Sequence, residues 1–294
     1  MEVNILFFIP LVIFLGEWNQ FNILGLKYFF IQSLASIFLL VRILFINLIL
    51  LNNFYVEFFI IGSILWKMGA PPFHLWLVNL MIDLEWFIFF VISSLQKVLP
   101  LYILRKIPLI FLDILIILSL LVRLSLSLIQ SRVKKILIIS SIFTGAWIFA
   151  ALIFLKFFWV VILFVYSVML LRCIVVFIKN KTSHKSRGVV FSITLIEKLT
   201  MFIILIAVAG LPPLTGFYLK LVVICGVINL GNIVIASALL FSSVLIIYIY
   251  RGIFLLALSN QAPNSVYLSS FRGANFVQYF RMSLIISPLL LLLI

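Results

Sequence analysis

The sequence predicts an all-α fold: a polytopic membrane protein of about ten transmembrane helices, two of them broken. Three observations carry that expectation. The 294 residues are 66% hydrophobic and 10% charged, a composition far from that of soluble domains. Apolar runs repeatedly reach the roughly 20 residues that a helix needs to cross a bilayer. The links between these runs are too short to hold a soluble domain, so 1–294 reads as a single transmembrane domain. The formal charge of +14 is spread singly between apolar runs rather than along one stripe, which excludes a nucleic-acid partner and points to topology signals and membrane lipids, with cardiolipin a candidate. Cys173 and Cys225 fall in separate apolar segments with no metal or redox spacing and read as two buried thiols.

In chain order, residues 2 to 15 are apolar but too short to span alone, so the chain opens on a re-entrant helix or partway into one. Spans follow at about 24–50, 55–79, 86–105, 108–129, 132–153 and 157–179. A polar connection at 179–188, Lys179-Asn-Lys181-Thr-Ser-His184-Lys185-Ser-Arg187, separates two membrane portions. A long apolar region at about 189–228 is interrupted near 210–216, and another span runs over about 231–256. Within the C-terminal stretch 257–294, the segment 257–280, with Pro263, Asn264 and Gly273, reads as a surface loop or an interfacial helix, and a final helix ends at Ile294. Alternating the links between two sides gives one side Arg132, Lys134, Lys135, Lys179, Lys181, Lys185, Arg187, Arg251, Arg272 and Arg281, and the other only Arg105, Lys106 and Lys156. That asymmetry is the pattern of a cytoplasm-like or matrix-like face.

The chemistry concentrates at two interruptions. In Gly62-Ser-Ile-Leu-Trp66-Lys67-Met-Gly69-Ala-Pro71-Pro72-Phe-His74-Leu-Trp76 a lysine deep in apolar sequence meets a helix break. Both are costly in a bilayer: a lysine at its centre costs about 2.5–3.5 kcal/mol on insertion scales, and irregular backbone survives only against protein or water. Snorkelling of Lys67 to an interface is the plain alternative, and the apolar run from Phe58 to Trp66 argues against it. The second interruption, Gly210-Leu-Pro212-Pro213-Leu-Thr-Gly216, repeats the pattern of glycine, paired prolines and following aromatic, with Lys220 beyond it. Paired interruptions point to a transport site; ordinary proline kinks are the other reading. Lys97, in Ser93-Ser-Leu-Gln96-Lys97-Val-Leu-Pro100, adds a third membrane-depth amine.

Buried amines suit proton transfer, because burial opposes the charged form and a neighbouring carboxylate favours it, so a moving charge can load or unload a proton. Carboxylates are limited to Glu2, Glu17, Glu57, Asp83, Glu85, Asp113 and Glu197, with no acidic cluster at membrane depth, so protons fit better than metal ions. His74 is either a packing residue or a proton carrier. Ser93, Ser94, Gln96, Ser140, Ser141 and Thr144 either hold water between the lysines or bond their own backbone. No phosphate loop, dinucleotide fingerprint, haem or iron–sulfur cysteine set is present, so no cofactor, metal or redox centre is expected in this chain.

These motifs carry a resemblance. Glu2-Val-Asn-Ile-Leu-Phe-Phe-Ile-Pro10, Lys27-Tyr-Phe-Phe-Ile-Gln32-Ser-Leu-Ala-Ser36, Lys67 to Trp76, Gln96-Lys97-Val-Leu-Pro100, Val133-Lys-Lys135-Ile-Leu-Ile-Ile-Ser-Ser-Ile142 and Gly210 to Phe217 with Lys220 resemble, in order, the NADH dehydrogenase subunit 2 family among the antiporter-like membrane subunits of mitochondrial respiratory complex I. The resemblance implies an antiporter-like fold and a subunit that translocates protons through a relay of Glu2, Lys67, Lys97 and Lys220, with quinone reduction elsewhere. It further implies other membrane-arm subunits as partners, a multi-pass place in the mitochondrial inner membrane, and NADH, FMN, iron–sulfur clusters and ubiquinone held by other subunits. Two departures stand out. The family carries its glutamate within a helix preceded by another, whereas Glu2 is the second residue, so the resemblance implies either a misplaced start or a fold lacking at least one N-terminal helix; and Leu77-Val78-Asn79 replaces a frequent Pro-Glu pair. A stand-alone cation/proton antiporter and a structural subunit with vestigial lysines are the rival readings.

Overall fold

The computed structural model describes residues 18–48, 53–105, 109–127, 133–154, 157–179, 195–212 and 214–259. Among them every regular element is helical. In order these are α1 Trp18–Leu48, α2 Asn53–Met68, α3 Leu75–Asp83, α4 Trp86–Ser93, a 3-10 turn Leu95–Lys97, α5 Val98–Leu104, α6 Leu109–Ser127, α7 Val133–Phe154, α8 Phe158–Lys179, α9 Leu195–Ala209, α10 Thr215–Asn229 and α11 Ile233–Ser259. The spans expected from hydropathy are there, and both proline interruptions separate helices, α2 from α3 and α9 from α10. The expected segments 2–15 and 257–294 fall largely or wholly outside the described residues, as does Glu2.

Backbone chemistry explains where these helices stop. Gly69 (φ 63°) takes the left-handed conformation after α2, where its N–H donates to the Trp66 carbonyl (3.1 Å) and that of Ala70 to the Leu65 carbonyl (3.0 Å). Gly210 (φ 86°) ends α9 in the same way, with Gly210 N to Ala207 O at 3.2 Å and Leu211 N to Ile206 O at 3.3 Å. Gly231 (φ 81°) ends α10 likewise, through the Ile228 and Val227 carbonyls. This paired closure satisfies carbonyls that a helix end would otherwise leave unbonded, and a left-handed residue costs a side-chain-bearing amino acid about 1–2 kcal/mol, which is why glycine stands at each. The prolines then keep the helix from resuming.

The chain forms two compact units, residues 1–128 with 134–149, and residues 129–133 with 150–294. In the first, α1 packs on α2 and α3, and α2 on α5. In the second, α9 packs on α8, α10 and α11. Large apolar side chains face outward: Ile23, Leu26, Phe30, Leu34 and Ile37 on α1, and Val160, Phe164, Leu171, Val175 and Ile178 on α8. Such faces belong in lipid, where burial is supplied by the bilayer. The same distinction corrects one expectation. Cys173 is buried, but Cys225 is exposed, because an apolar run in a membrane helix says which residues avoid water and not which face the protein interior.

Candidate buried amine site

Lys67 occupies the last turn of α2 and is 8% exposed. The carbonyls around it are held by side chains from elsewhere: Gln32 Nε2 of α1 donates to the Lys67 carbonyl (3.0 Å), and Trp76 Nε1 of α3 donates to the Trp66 carbonyl (3.1 Å). Indole and phenyl rings close the break from the side. Trp66 stacks on Phe73 at 5.1 Å between centroids and on Phe38 of α1 at 5.6 Å. Leu77 lies so close to Gly69 that a Cβ there would sit 2.5 Å from its Cδ1, so glycine is required by space as well as by φ. The prolines Pro71 and Pro72 are joined by a cis peptide bond.

His74 closes the loop at the start of α3 and is buried. Its Nδ1 lies 3.1 Å from the Pro72 carbonyl. A carbonyl only accepts, so Nδ1 carries the hydrogen in this bond, and Nε2 of the neutral ring keeps a lone pair with which to take a proton. Lys67 and His74 thus flank a single break within one unit.

Lys97 sits in an interruption that hydropathy hides. The sequence predicts one span over about 86–105, with Lys97 inside it; in the structure Lys97 ends the 3-10 turn between α4 and α5, within one apolar stretch Trp86–Leu104. Pro100 supplies the reason, since it lacks the N–H that would bond the carbonyl four residues back. Lys97 is 8% exposed, and its Nζ donates to the Ser141 carbonyl of α7 at 3.0 Å. Ser140, Ser141, Thr144 and Gly145 are small, which lets the amine reach the α7 backbone. The hydroxyls of Ser93, Ser94, Ser140, Ser141 and Thr144 each donate to a carbonyl three or four residues back on their own helix. Their hydrogens are committed there, leaving lone pairs for any further contact.

In the second unit, Lys220 reaches back from α10 across the break. Its Nζ donates to the Ala209 carbonyl, at the end of α9, and its chain lies against Gly210, whose added Cβ would be 2.7 Å from the lysine Cδ. A cation there complements the negative end of α9. Gly216 brings α10 onto α9 more closely still, since a Cβ on it would collide with the Ala207 carbonyl oxygen.

Two features escaped the sequence. Lys134, assigned to the basic surface, is 5% exposed: its Nζ donates to the carbonyls of Ile82 (3.2 Å) and Leu84 (2.6 Å) at the end of α3, and lies 4.9 Å from the Trp86 ring centroid. Nor does any local pattern tie Tyr28 and Gln32 to the lysines. Tyr28 OH donates to Gln96 Oε1 at 2.8 Å, across 68 residues of sequence.

The chain matches the family described as NADH:quinone oxidoreductase/Mrp antiporter, transmembrane, over residues 1–246. NADH-ubiquinone oxidoreductase chain 2 of Anopheles gambiae is 30% identical over 264 residues, covering 85% of this chain and 75% of that protein. The same-named chain of Artemia franciscana is 29% identical over 253 residues, covering 86% and 79%. Among solved structures, respiratory complex I from Thermus thermophilus with bound Aureothin contains a chain of similar fold, with a TM-score of 0.68 at 20% identity, covering 87% of this chain and 64% of that one. A chain of the Mrp complex from Dietzia sp. DQ12-45-1b gives 0.67 at 15% identity, covering 80% of this chain and half (50%) of that one.

Proposed function

We infer the function from membership: the chain belongs to the NADH:quinone oxidoreductase/Mrp antiporter family of transmembrane proteins. It is a proton-translocating membrane-arm subunit of NADH:ubiquinone oxidoreductase, working beside other subunits of that arm. The observation that carries the mechanism is Lys97, a buried amine held against the Ser141 carbonyl at a helix interruption. We propose that Lys67, Lys97, Lys220, His74 and Glu2 are its proton carriers, with the breaks at Gly69, Pro71 and Pro72 and at Gly210, Pro212 and Pro213 supplying polar backbone at membrane depth.

Burial opposes an ammonium charge and carbonyl oxygens favour it, so an amine placed between these influences answers to small changes of charge nearby. Quinone reduction in other subunits supplies that change, and NADH, FMN, iron–sulfur clusters and ubiquinone belong to those subunits. The protein spans the membrane many times; we place it in the mitochondrial inner membrane with its basic links facing the matrix, and with acidic lipids such as cardiolipin against them.

Gentle solubilisation followed by separation by size tests the assignment. The chain is expected to comigrate with NADH-quinone reductase activity. Migration as a small particle lacking that activity would favour a stand-alone antiporter instead.

A further inference from the structure

We propose that Tyr28 and Gln32 of α1 are positioning residues for the relay: together they form a strut that fixes the turn carrying Lys97 relative to the break that follows Lys67. The inference rests on the relay reading above. Tyr28 and Gln32 are four residues apart and so share one face of α1, about 6 Å from each other along the axis at 1.5 Å per residue. Both are 3% exposed on a helix whose opposite face is exposed apolar surface. A buried hydroxyl or amide is costly unless it is hydrogen-bonded, and these two spend their bonds on the two lysine segments. Gln32 Nε2 holds the carbonyl of Lys67 itself, at 3.0 Å. Tyr28 OH holds the side chain of Gln96, the residue before Lys97, at 2.8 Å.

The rest of the neighbourhood stiffens these anchors. The Tyr28 ring tilts against Trp76, 6.4 Å between centroids, and Trp76 in turn donates to the Trp66 carbonyl. The last turn of α2 is therefore gripped from α1 and α3 at consecutive carbonyls, Trp66 and Lys67. On the other side, Gln96 and Lys97 belong to one 3-10 turn, so the grip of Tyr28 on Gln96 sets the rotation from which the Lys97 side chain departs towards Ser141. Proton transfer between groups depends steeply on their placement, and a displacement of about 1 Å is enough to slow a reaction strongly.

The test is protons moved per NADH oxidised, measured on assembled enzyme in sealed vesicles, for Tyr28→Phe, Gln96→Leu, Gln32→Met, the double variant Tyr28→Phe/Gln96→Leu, and Lys97→Met. Ser33→Ala is the control: it is next to Gln32, and its hydroxyl donates within α1, to the Phe30 carbonyl at 3.0 Å. A merely structural role would lower the yield of assembled enzyme and leave the ratio per NADH unmoved. We expect Tyr28→Phe, Gln96→Leu and Gln32→Met each to lose at least about half of the ratio lost by Lys97→Met, since misplacing a carrier is less severe than removing it. The double variant should lose no more than the worse single one, because both substitutions break one bond. A lowered ratio for Lys97→Met with an unchanged ratio for Tyr28→Phe would overturn the strut and leave the relay standing. An unchanged ratio for Lys97→Met would overturn the relay itself. Loss of assembly in both Tyr28→Phe and Gln96→Leu would make their bond structural and overturn the strut as well.

Discussion

A lysine at a membrane surface and a lysine sealed inside a helix end look alike in sequence, and Lys134 shows the difference. Its amine serves carbonyls left over at the end of α3 and rests on the Trp86 ring. Removing the amine leaves buried acceptors unbonded, at about 1–3 kcal/mol for each. Lys134→Met is accordingly expected to lower the temperature at which the enzyme inactivates, while Lys134→Arg, which keeps donors and can stack on the indole, should retain most of it. Thermal inactivation of NADH-quinone reductase activity checks both. Lys67, Lys97 and Lys220 were legible from sequence because each is an isolated charge beside a glycine or proline signal. Lys134 was not, because its partners lie 50 and 52 residues away and only tertiary packing brings them near. Tyr28 and Gln32 lie within the stretch Lys27 to Ser36 that carries the resemblance, yet nothing in the spacing of α1 names Gln96 or the Lys67 carbonyl as their partners.

Among the helices, the glycine closures are where sequence and backbone agree most closely. A glycine followed by prolines in an apolar run kinks or stops a helix, and α2 and α9 stop there with the same paired hydrogen bonds. The 3-10 turn at Lys97 was less visible, since a single proline one turn later leaves the hydropathy of Trp86–Leu104 uninterrupted. Two of the left-handed glycines, Gly210 and Gly231, allow a matched experiment. Gly210→Ala and Gly231→Ala carry similar backbone strain, about 1–2 kcal/mol. Only at Gly210 would the new methyl meet the Lys220 chain; at Gly231 nothing lies within 4 Å. Gly210→Ala should therefore lower protons per NADH and Gly231→Ala should not, with both compared at equal content of assembled enzyme. Gly216→Ala should do worse and reduce assembly itself, because its methyl would displace α10 from the Ala207 carbonyl.

At the scale of the whole molecule, each of the two units holds one of the glycine–proline breaks, and the two breaks are treated differently. In the first, neutral donors, Gln32 and Trp76, satisfy carbonyls before the break, and the space beside Gly69 is filled by Leu77. In the second, the Lys220 side chain does both tasks, its Nζ bonding the Ala209 carbonyl and its chain lying against Gly210. The overall class, the spans and the breaks followed from composition and periodicity, because a bilayer imposes length and apolarity on every helix. Which polar groups meet did not follow, since a membrane helix shows lipid-facing and protein-facing apolar residues alike. The decisive measurement is the number of protons moved per NADH oxidised by assembled enzyme carrying Lys97→Met, read in sealed vesicles against the unsubstituted enzyme. A lower ratio with quinone reduction still running is the expected result. An unchanged ratio would show that protons do not pass through Lys97, and the relay through these lysines would have to be abandoned.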